Sequence, residues 1–317
     1  MKEIGGYFGI EIEEKKEYYT NLIRLNLGRN ALAYLIQNKG IKKIYMPYYV
    51  CESVVYACRR ENCEIEFYHI TDKLMPILDK VPKENEFVYI INYFSQLSER
   101  IIKKLKEIYK QIILDNAHAF FQRPIEGINT IYTCRKFFGV PDGAYLATDI
   151  EKKYPQDNSM NRIIHLLGRH ATTASDYFDC FKKCEKSFEK EAIKEMSHLT
   201  KTVLKSINYE KVAQKRMLNF RCLHNLLRNH NNLELNETEV PYGYPLYIEN
   251  GSELRSRLIA DKIYVPCLWP EILEMPSTSI EYKIANNMIV LPCDQRYGEE
   301  EMKFIVDRVM WHLSDIS

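Results

Sequence analysis

Apolar residues in the first half of the chain follow two alternating patterns, one typical of buried strands and one of amphipathic helices. Segment 87–93 (FVYIINY) is continuously apolar, as expected for a strand covered on both faces. Segment 100–109 repeats its apolar residues at helical spacing. The other predicted strands are 44–46, 64–68, 111–115, 131–134 and 143–148, and the other predicted helices are 30–36, ending near Gly40, and 49–59. Strands that alternate with helices over short links predict βαβ units and a mainly parallel sheet.

The second half of the chain changes character twice. Residues 161–230 are helical and charged in pattern, with a long helical stretch at 181–194, and strand character then returns. The predicted late elements are strands 244–248, 263–265 and 288–292 and helices 252–260 and 299–313. A length of 317 residues favours two domains. We therefore expect an α/β protein with a large domain over residues 1–215 and a smaller C-terminal α/β domain over 216–317.

Charge and cysteine content narrow the class of protein. Lys plus Arg number 44 and Asp plus Glu number 43, a net charge of +1, which argues against nucleic-acid and membrane-surface binding. No apolar run is long enough to span a membrane, and the N-terminus has no apolar signal core. The nine cysteines are scattered, and Cys180 and Cys184 lack a second ligand pair for zinc. The sequence predicts a cytoplasmic protein without a metal site.

Two ionisable residues lie where strands of an open parallel sheet end, which is the edge that binds ligands in such folds. Asp115 closes the predicted strand 111–115, and Lys136 follows the strand 131–134, 21 residues later. A buried carboxylate is costly unless it is paired with a cation. A lysine that is desolvated by aromatic neighbours gains the lowered pKa that an amine nucleophile needs. The simpler alternatives are that Asp115 caps a turn and that Lys136 is a solvated loop residue.

A third feature is the helix start at Gly28, Arg29 and Asn30. Free N–H groups at a helix N-terminus, with a glycine that permits close approach, form an anion-binding cradle. Capping of the helix by Asn30 is the simpler alternative. Taken together, an anion site, a strand-end aspartate and a strand-end lysine are the parts that pyridoxal phosphate requires for its phosphate, its pyridine nitrogen and its aldehyde.

Four strings carry a resemblance to a known family. They are 27–32 (LGRNAL), similar to SGTAAL; 46–54 (MPYYVCESV), similar to PsyTFvAT; 114–119 (LDNAHA), similar to EDAAHA; and 136–144 (KFFGVPDGA), similar to K-NL-x-x-GDGG. Weaker similarity extends to 263–270 and to 291–293. The chain therefore resembles the DegT/StrS-type sugar aminotransferases, which are fold-type I pyridoxal-phosphate enzymes. The resemblance implies a fold-type I large domain with a mainly parallel central sheet flanked by helices, and a smaller C-terminal domain.

The resemblance also implies roles for single residues. Lys136 would form the Schiff base with pyridoxal 5'-phosphate and move the proton, Asp115 would bind the pyridine nitrogen, and His118 would lie near the ring or its phenolic oxygen. The phosphate of the cofactor would be bound by Gly28, Arg29, Asn30 and Thr133. The aromatic residue that stacks on the ring in the family falls on Cys51, so stacking passes to Tyr49, to Tyr93 or to no residue. We find no counterpart of the GxNyRms loop, which donates an asparagine across the dimer to the phosphate.

The resemblance implies an aminotransferase that acts on a keto-sugar, nucleotide-linked in the family, with glutamate as amino donor, in polysaccharide or glycan biosynthesis. The dehydratases of the family have a histidine at the position of Lys136, so this lysine disfavours a dehydratase. A non-catalytic protein that binds pyridoxal phosphate or a partner protein through an altered pocket is the alternative. A nucleotide-binding Rossmann domain is disfavoured because no G-x-G-x-x-G follows a strand.

Expectations about substrate and assembly follow from the same resemblance. The substrate cleft is expected to be lined by aromatic side chains on strand ends and loops, of which at least two of five should prove to be core. These five are Tyr48, Tyr93, Phe94, Tyr264 and Trp269. A homodimer is expected, with the aromatic segment 5–8 reaching a neighbouring site.

Overall fold

A central eight-stranded sheet organises the computed structural model of the protein, which describes residues 4–237 and 239–316. The sheet order is β1-β8-β7-β6-β5-β2-β3-β4. Its strands are β1 (Ile23–Leu25), β2 (Lys43–Pro47), β3 (Glu64–Ile70), β4 (Pro76–Ile77), β5 (Glu86–Ile91), β6 (Ile112–Asp115), β7 (Asn129–Thr133) and β8 (Ala144–Ala147). The five strands from β7 to β3 run parallel, and β1, β8 and β4 are antiparallel to their neighbours. The predicted mainly parallel α/β sheet is confirmed.

The helices of the first two thirds of the chain are α1 (Gly28–Lys39), α2 (Glu52–Arg60), α3 (Glu99–Tyr109), α4 (Ile164–Ala171), α5 (Phe178–Ser187) and α6 (His198–Ser206). Local sequence explains several boundaries. Helix α1 ends at Gly40, whose φ of 63° is left-handed and whose N–H donates to the Ile36 carbonyl. Helix α3 begins after Ser98, whose side chain accepts from the Ile101 N–H.

A second hydrophobic core lies in the last third of the chain. Its elements are α7 (Tyr209–Leu227), β9 (Tyr244–Tyr247), α8 (Gly251–Ala260), α9 (Ile280–Asn287), β10 (Met288–Leu291) and α10 (Glu299–Ile316). Strands β9 and β10 pair antiparallel, and α7, α8 and α10 pack around them. The expected division between residues 215 and 216 falls inside α7.

Two predicted elements differ from the structure. Residues 263–265 alternate in burial like a strand but pair with no strand in the described chain, so they form an irregular segment. The predicted helix 181–194 ends at Ser187. The chain then extends beside β1, where Asn26 N–H donates to the Lys194 carbonyl at 2.9 Å and Met196 N–H donates to the Arg24 carbonyl at 3.3 Å. This pairing replaces the expected last turns of the helix.

No helix in residues 4–237 and 239–316 is long and apolar enough to cross a membrane.

Candidate active site

A cavity of about 210 Å³ lies at the carboxyl ends of the parallel strands. The starts of α1 and α2, the ends of β5, β6 and β7, and the turn after β7 form its walls. This is the edge at which open α/β sheets bind ligands, because the strand ends and helix N-termini converge there. Seven of the residues expected at the cofactor line this cavity: Gly28, Arg29, Cys51, Asp115, His118, Thr133 and Lys136.

Asp115 is the last residue of β6 and is buried. Its Oδ2 accepts a hydrogen bond from the Tyr89 hydroxyl at 2.8 Å, and its Oδ1 accepts from the Ala117 N–H at 2.8 Å. Burial raises the pKa of the Asp115 carboxyl above its ordinary value, although the nearby charge of Lys136 acts in the opposite direction. The bond to Ala117 means that Asp115 does cap the following turn, while the same carboxyl group also borders the cavity.

Lys136 and His118 meet in this cavity. Lys136 Nζ lies 2.9 Å from His118 Nε2. Burial lowers the pKa of the Lys136 amine below its ordinary value, while the negative charge of Asp115 acts in the opposite direction. Burial, and then the charge of Lys136, hold the pKa of His118 well below its usual range. His118 is therefore neutral at physiological pH, and the lowered pKa of Lys136 increases the share of its neutral, nucleophilic amine.

The backbone at Phe94 decides which nitrogen of His118 carries the proton. The Phe94 N–H donates to His118 Nδ1 at 3.4 Å, so the proton of the neutral imidazole lies on Nε2. Nε2–H then donates to the lone pair of the Lys136 amine. Phe94 and Ser95 adopt left-handed φ values of 56° and 64°, which residues other than glycine seldom adopt. A strained turn thus holds the histidine in the tautomer that presents a donor to Lys136.

The other end of the cavity is suited to an anion. Helix α1 begins there at Gly28, and the preceding residue, Leu27, provides no side-chain cap for the first N–H groups. A Cβ atom placed on Gly28 would lie 2.6 Å from Thr133 Cγ2, so only glycine lets α1 approach β7 this closely. The side chains of Ser53 and Arg135 line the same region.

Two arginines at this end differ in their pairing. Arg135 forms an ion pair with Glu185 of α5 and lies over the Phe188 ring at 4.5 Å. Arg29 is half-buried and forms no hydrogen bond or ion pair within the described part of the chain, and burial lowers its pKa. An unpaired guanidinium beside uncapped helix N–H groups is a strong anion-binding arrangement.

Asn30 is placed differently from the sequence expectation. It is buried, and its amide nitrogen donates to Asn26 Oδ1 at 2.9 Å and to the Ala192 carbonyl at 2.8 Å. Its side-chain oxygen accepts from Arg60 at 3.0 Å. The Asn30 side chain therefore holds the segment around Ala192, beside β1, by a hydrogen bond and does not line the cavity.

The five aromatic residues expected to line a substrate cleft are dispersed. Trp269 borders the cavity and is 8% exposed. Phe94 is buried and packs against the His118 ring with centroids 5.5 Å apart. Tyr48 stacks on Phe67 at 5.0 Å.

Tyr93 and Tyr264 also lie away from the Lys136 cavity. The Tyr93 hydroxyl donates to the Tyr49 carbonyl at 2.6 Å, and its ring borders a separate cavity of about 270 Å³. Tyr264 is 57% exposed. The structure thus separates Tyr48, Tyr93 and Tyr264 from the cavity that holds Lys136, and Tyr93, Phe94 and Trp269 are core residues.

Cys51 lines the cavity directly before α2, with its Sγ 3.1 Å from the Ser53 hydroxyl. Tyr49 is fully buried and does not line the cavity. The aromatic side chains that do border it are Tyr89, His118 and Trp269 among the described residues. Tyr49 and Tyr93, which were expected to stack in place of Cys51, therefore do not line the cavity.

Sequence reasoning missed four residues of the site. Tyr89 lies on β5 within a continuous apolar run, where nothing distinguishes it from core. Ser53 and Arg135 are neighbours of predicted site residues and could have been found from that proximity. Tyr242 comes from the segment before β9, and its ring lies parallel to His118 with centroids 4.4 Å apart. No local sequence signal connects Tyr242 to a site more than a hundred residues earlier.

Comparison with known proteins defines the fold. No protein-family profile and no curated protein sequence matches the chain. Among solved structures, NtdA from Bacillus subtilis with bound cofactor PMP has a TM-score of 0.66 at 15% identity, covering 91% of this chain and 72% of that one. A DegT DnrJ EryC1 StrS aminotransferase from Brucella abortus has a TM-score of 0.63 at 12% identity, covering 92% and 85%.

DesV from S. venezuelae, in complex with a ketimine intermediate, has a TM-score of 0.62 at 14% identity, covering 91% and 83%. The fold is that of the DegT-type aminotransferases. The fold resemblance predicted from the four sequence strings is confirmed. At these identities the likeness establishes the fold and leaves the chemistry to be argued from the site.

Proposed function

We propose that this protein is a pyridoxal-phosphate-dependent aminotransferase that uses glutamate to aminate a nucleotide-linked keto-sugar, in polysaccharide or glycan biosynthesis. The observation that carries the proposal is the amine of Lys136, which lies 2.9 Å from His118 in a cavity where burial lowers its pKa. The fold neighbours support the choice of cofactor, since NtdA was solved with PMP and the putative sugar aminotransferase Spr1654 from Streptococcus pneumoniae in a PLP form.

The donors of the cavity fit the three polar ends of pyridoxal phosphate. The uncapped N–H groups at Gly28 and the unpaired Arg29 suit a phosphate dianion, and Gly28 leaves space that a Cβ would fill. Asp115 offers a buried carboxyl group for the pyridine nitrogen. Lys136 offers the amine for the aldehyde. When bound, the cofactor supplies an electron sink that stabilises a substrate carbanion.

The residues of the chain would supply binding, orientation and proton transfer. Lys136 would carry the proton at Nζ, because burial lowers its pKa and so makes the amine a better group for accepting and returning a proton. His118, held by Phe94 N–H, would orient that amine through Nε2–H. Asp115, held by Tyr89 and Ala117, would keep the proton of the pyridine nitrogen in place. Trp269 would exclude water from one wall.

A second candidate function has one observation in its favour. The sequence resemblance aligns Cys51, which lines the cavity, with the ring-stacking aromatic residue of the family, so this residue cannot supply the stacking contact. A non-catalytic protein that holds pyridoxal phosphate, or only a partner protein, through this altered pocket would have that feature.

The absorption spectrum of the purified protein distinguishes these functions. We expect bound cofactor absorbing as a lysine-linked form, conversion of that band by glutamate, and its return on addition of a nucleotide-linked keto-sugar. Lys136→Arg keeps a long basic side chain but has no amine that can link to the cofactor, so it should lose the lysine-linked band. A band that glutamate leaves unchanged would support the non-catalytic candidate.

The second half of the reaction tests the acceptor. If small keto acids restore the band while every keto-sugar in the panel fails, the sugar assignment is wrong although the aminotransferase assignment stands.

A further inference from the structure

Arg216 of α7 is a buried cation whose partners are mainly backbone carbonyl groups. It is 2% exposed. Its Nη1 donates to the carbonyls of Pro241 and Tyr242 at 3.0 and 3.1 Å, and its Nε donates to Gln295 Oε1 at 2.8 Å. The nearby Asp294 pairs with Arg296 instead. A guanidinium is suited to this arrangement because its planar fork can hold several acceptors at once.

The same guanidinium reaches the turn that carries Lys136. It lies over the Phe137 ring at 4.4 Å, and Nη2 is 3.5 Å from the Phe137 carbonyl. Gln295 Nε2 donates to that carbonyl at 2.7 Å. Phe137 directly follows Lys136, so Arg216 and Gln295, both from the last third of the chain, fix the backbone next to the amine.

Arg216 also fixes the ring that covers His118. Tyr242, whose carbonyl Arg216 holds, lies parallel to the His118 ring at 4.4 Å with an interplanar angle of 4°. Lys136 Nζ is 5.6 Å from the centroid of the same tyrosine ring. One side chain of α7 is therefore connected to both members of the Lys136–His118 pair, to one through Phe137 and to the other through Tyr242.

We propose that Arg216 is a positioning residue that holds Lys136 and His118 in contact and keeps water from the lysine amine, acting through Tyr242 and the carbonyl of Phe137. The inference rests on the proposed function, because it concerns the amine to which that function assigns the cofactor. It extends that function by making the reactivity of Lys136 depend on the last third of the chain.

The chain offers a matched control for the loss of a buried arginine. Arg255 of α8 is 8% exposed and, like Arg216, donates to three backbone carbonyls, those of Ala285, Asn286 and Met288 at 2.9 to 3.5 Å. It does not line the Lys136 cavity. Arg255→Lys should therefore lower stability in the same way as Arg216→Lys without changing the surroundings of Lys136.

The test measures Lys136 itself and needs no cofactor. The full-length protein is methylated with formaldehyde and cyanoborohydride over a pH series. Peptide mass mapping then gives, for each lysine, the midpoint, which is the pH at which its labelling rate is half of the maximum. We expect the wild-type midpoint of Lys136 to lie below the ordinary lysine value of about 10.4. Arg216→Lys should raise the Lys136 midpoint by about one pH unit, which corresponds to roughly tenfold slower labelling of Lys136 at neutral pH.

Tyr242 provides a second route that does not depend on the folding of an Arg216 variant. Tyr242→Phe keeps the ring and should leave the Lys136 midpoint unchanged, whereas Tyr242→Leu should raise it because water then reaches the amine. The proposal is overturned if Arg216→Lys and Arg255→Lys move the midpoint equally, if neither moves it, or if the two Tyr242 variants behave alike. Failure of the proposed function would be seen separately, as absence of pyridoxal phosphate on a Lys136 whose midpoint still responds to Arg216.

Discussion

At the level of single residues, the chemistry of the site depends on whether the protonated or the deprotonated form of each ionisable group is favoured. Asp115 is buried and has a raised pKa, and its two oxygens accept from the Tyr89 hydroxyl and the Ala117 N–H. Both oxygens are thus fixed in direction, and one side of the carboxyl group still borders the cavity. A carboxyl group held in this way can keep a proton on a ring nitrogen, which is the state in which pyridoxal phosphate accepts electrons.

Asp115→Asn tests this role. The amide keeps the shape of the side chain, so cofactor should still bind, but it cannot hold the positive charge of a protonated ring nitrogen. We expect turnover to fall by at least about 100-fold, the size seen when one electrostatic group of a site is removed. The measurement is kcat together with the cofactor absorbance. Asp72→Asn, at an exposed position, is the control, and near-normal turnover in Asp115→Asn would mean that Asp115 only caps its turn.

At the scale of elements, the contact of α1 with β7 forms the anion end of the cavity. The N-terminus of α1 lies so close to Thr133 that a Cβ on Gly28 would be 2.6 Å from the Thr133 methyl carbon. Two elements that touch through a glycine and a β-branched residue have little room to adjust.

Gly28→Ala should therefore push α1 away from β7. We expect a loss of roughly 1–3 kcal/mol in the free energy of unfolding, the usual cost of overpacking, and weaker binding of pyridoxal phosphate. Thr133→Ser removes the clashing methyl group and keeps the hydroxyl. The double variant Gly28→Ala with Thr133→Ser should therefore recover both the stability and the binding of pyridoxal phosphate. Denaturant unfolding and cofactor titration measure the two effects. A double variant as impaired as the single one would show that this contact does not set the geometry.

The elements also separate what the sequence could predict from what it could not. The parallel strands and the positions of Asp115 and Lys136 at strand ends were predictable, because buried strands give continuous apolar runs and ligand residues follow their ends. His118 was identified only through the resemblance of 114–119 to a family motif. The end of α5 at Ser187 was not, since the following residues pair with β1 over a separation of about 170 positions. Asn30 was misplaced because a polar residue at a helix start can face either a ligand or a neighbouring loop. Tyr242 and Arg216 reach the site only through tertiary packing.

At the level of the whole molecule, the exposed apolar side chains include two groups that bear on assembly. Tyr7 and Phe8 of the N-terminal segment are almost fully exposed, and Ile164, Leu167 and Phe178 on α4 and α5 are each about half exposed. Grouped apolar exposure of this kind marks an interaction surface. It supports the proposal that the protein forms a homodimer.

Sedimentation equilibrium tests the assembly. We expect a dimer, and we expect Phe8→Ser with Phe178→Ser to shift the equilibrium toward monomer without lowering the melting temperature at high protein concentration. The exposed pair Lys103→Ser with Lys104→Ser serves as a control of equal size. A stable monomer with bound cofactor would refute the homodimer.

A buried carboxylate makes the stability of the whole chain depend on pH. Burial alone would raise the pKa of Asp157, but the hydrogen bond from Asn26 and the charge of Arg162 more than offset it, so the folded-state pKa is lowered. A lowered pKa stabilises the folded state at pH above the unfolded value of about 3.9, and this contribution is lost as the pH falls through the folded value.

Asp157→Asn should therefore destabilise the protein by about 2 kcal/mol at neutral pH, as expected for a hydrogen bond to a charged group. The difference from wild type should shrink as the pH falls below about 4, because the wild-type carboxylate is then protonated as well. Urea unfolding at several pH values measures this difference in the free energy of unfolding between Asp157→Asn and wild type. A difference that stays constant across the series would exclude the ionised carboxylate as its cause.

Reductive trapping shows which lysine bears the cofactor, and Lys136 is the residue expected to do so. The purified protein is incubated with pyridoxal phosphate, reduced with borohydride, digested and mapped by mass spectrometry. We expect a single pyridoxyl group, on Lys136, the amine that lies beside His118 in the cavity. A pyridoxyl group on another lysine, or labelling spread evenly over the exposed lysines, would contradict it.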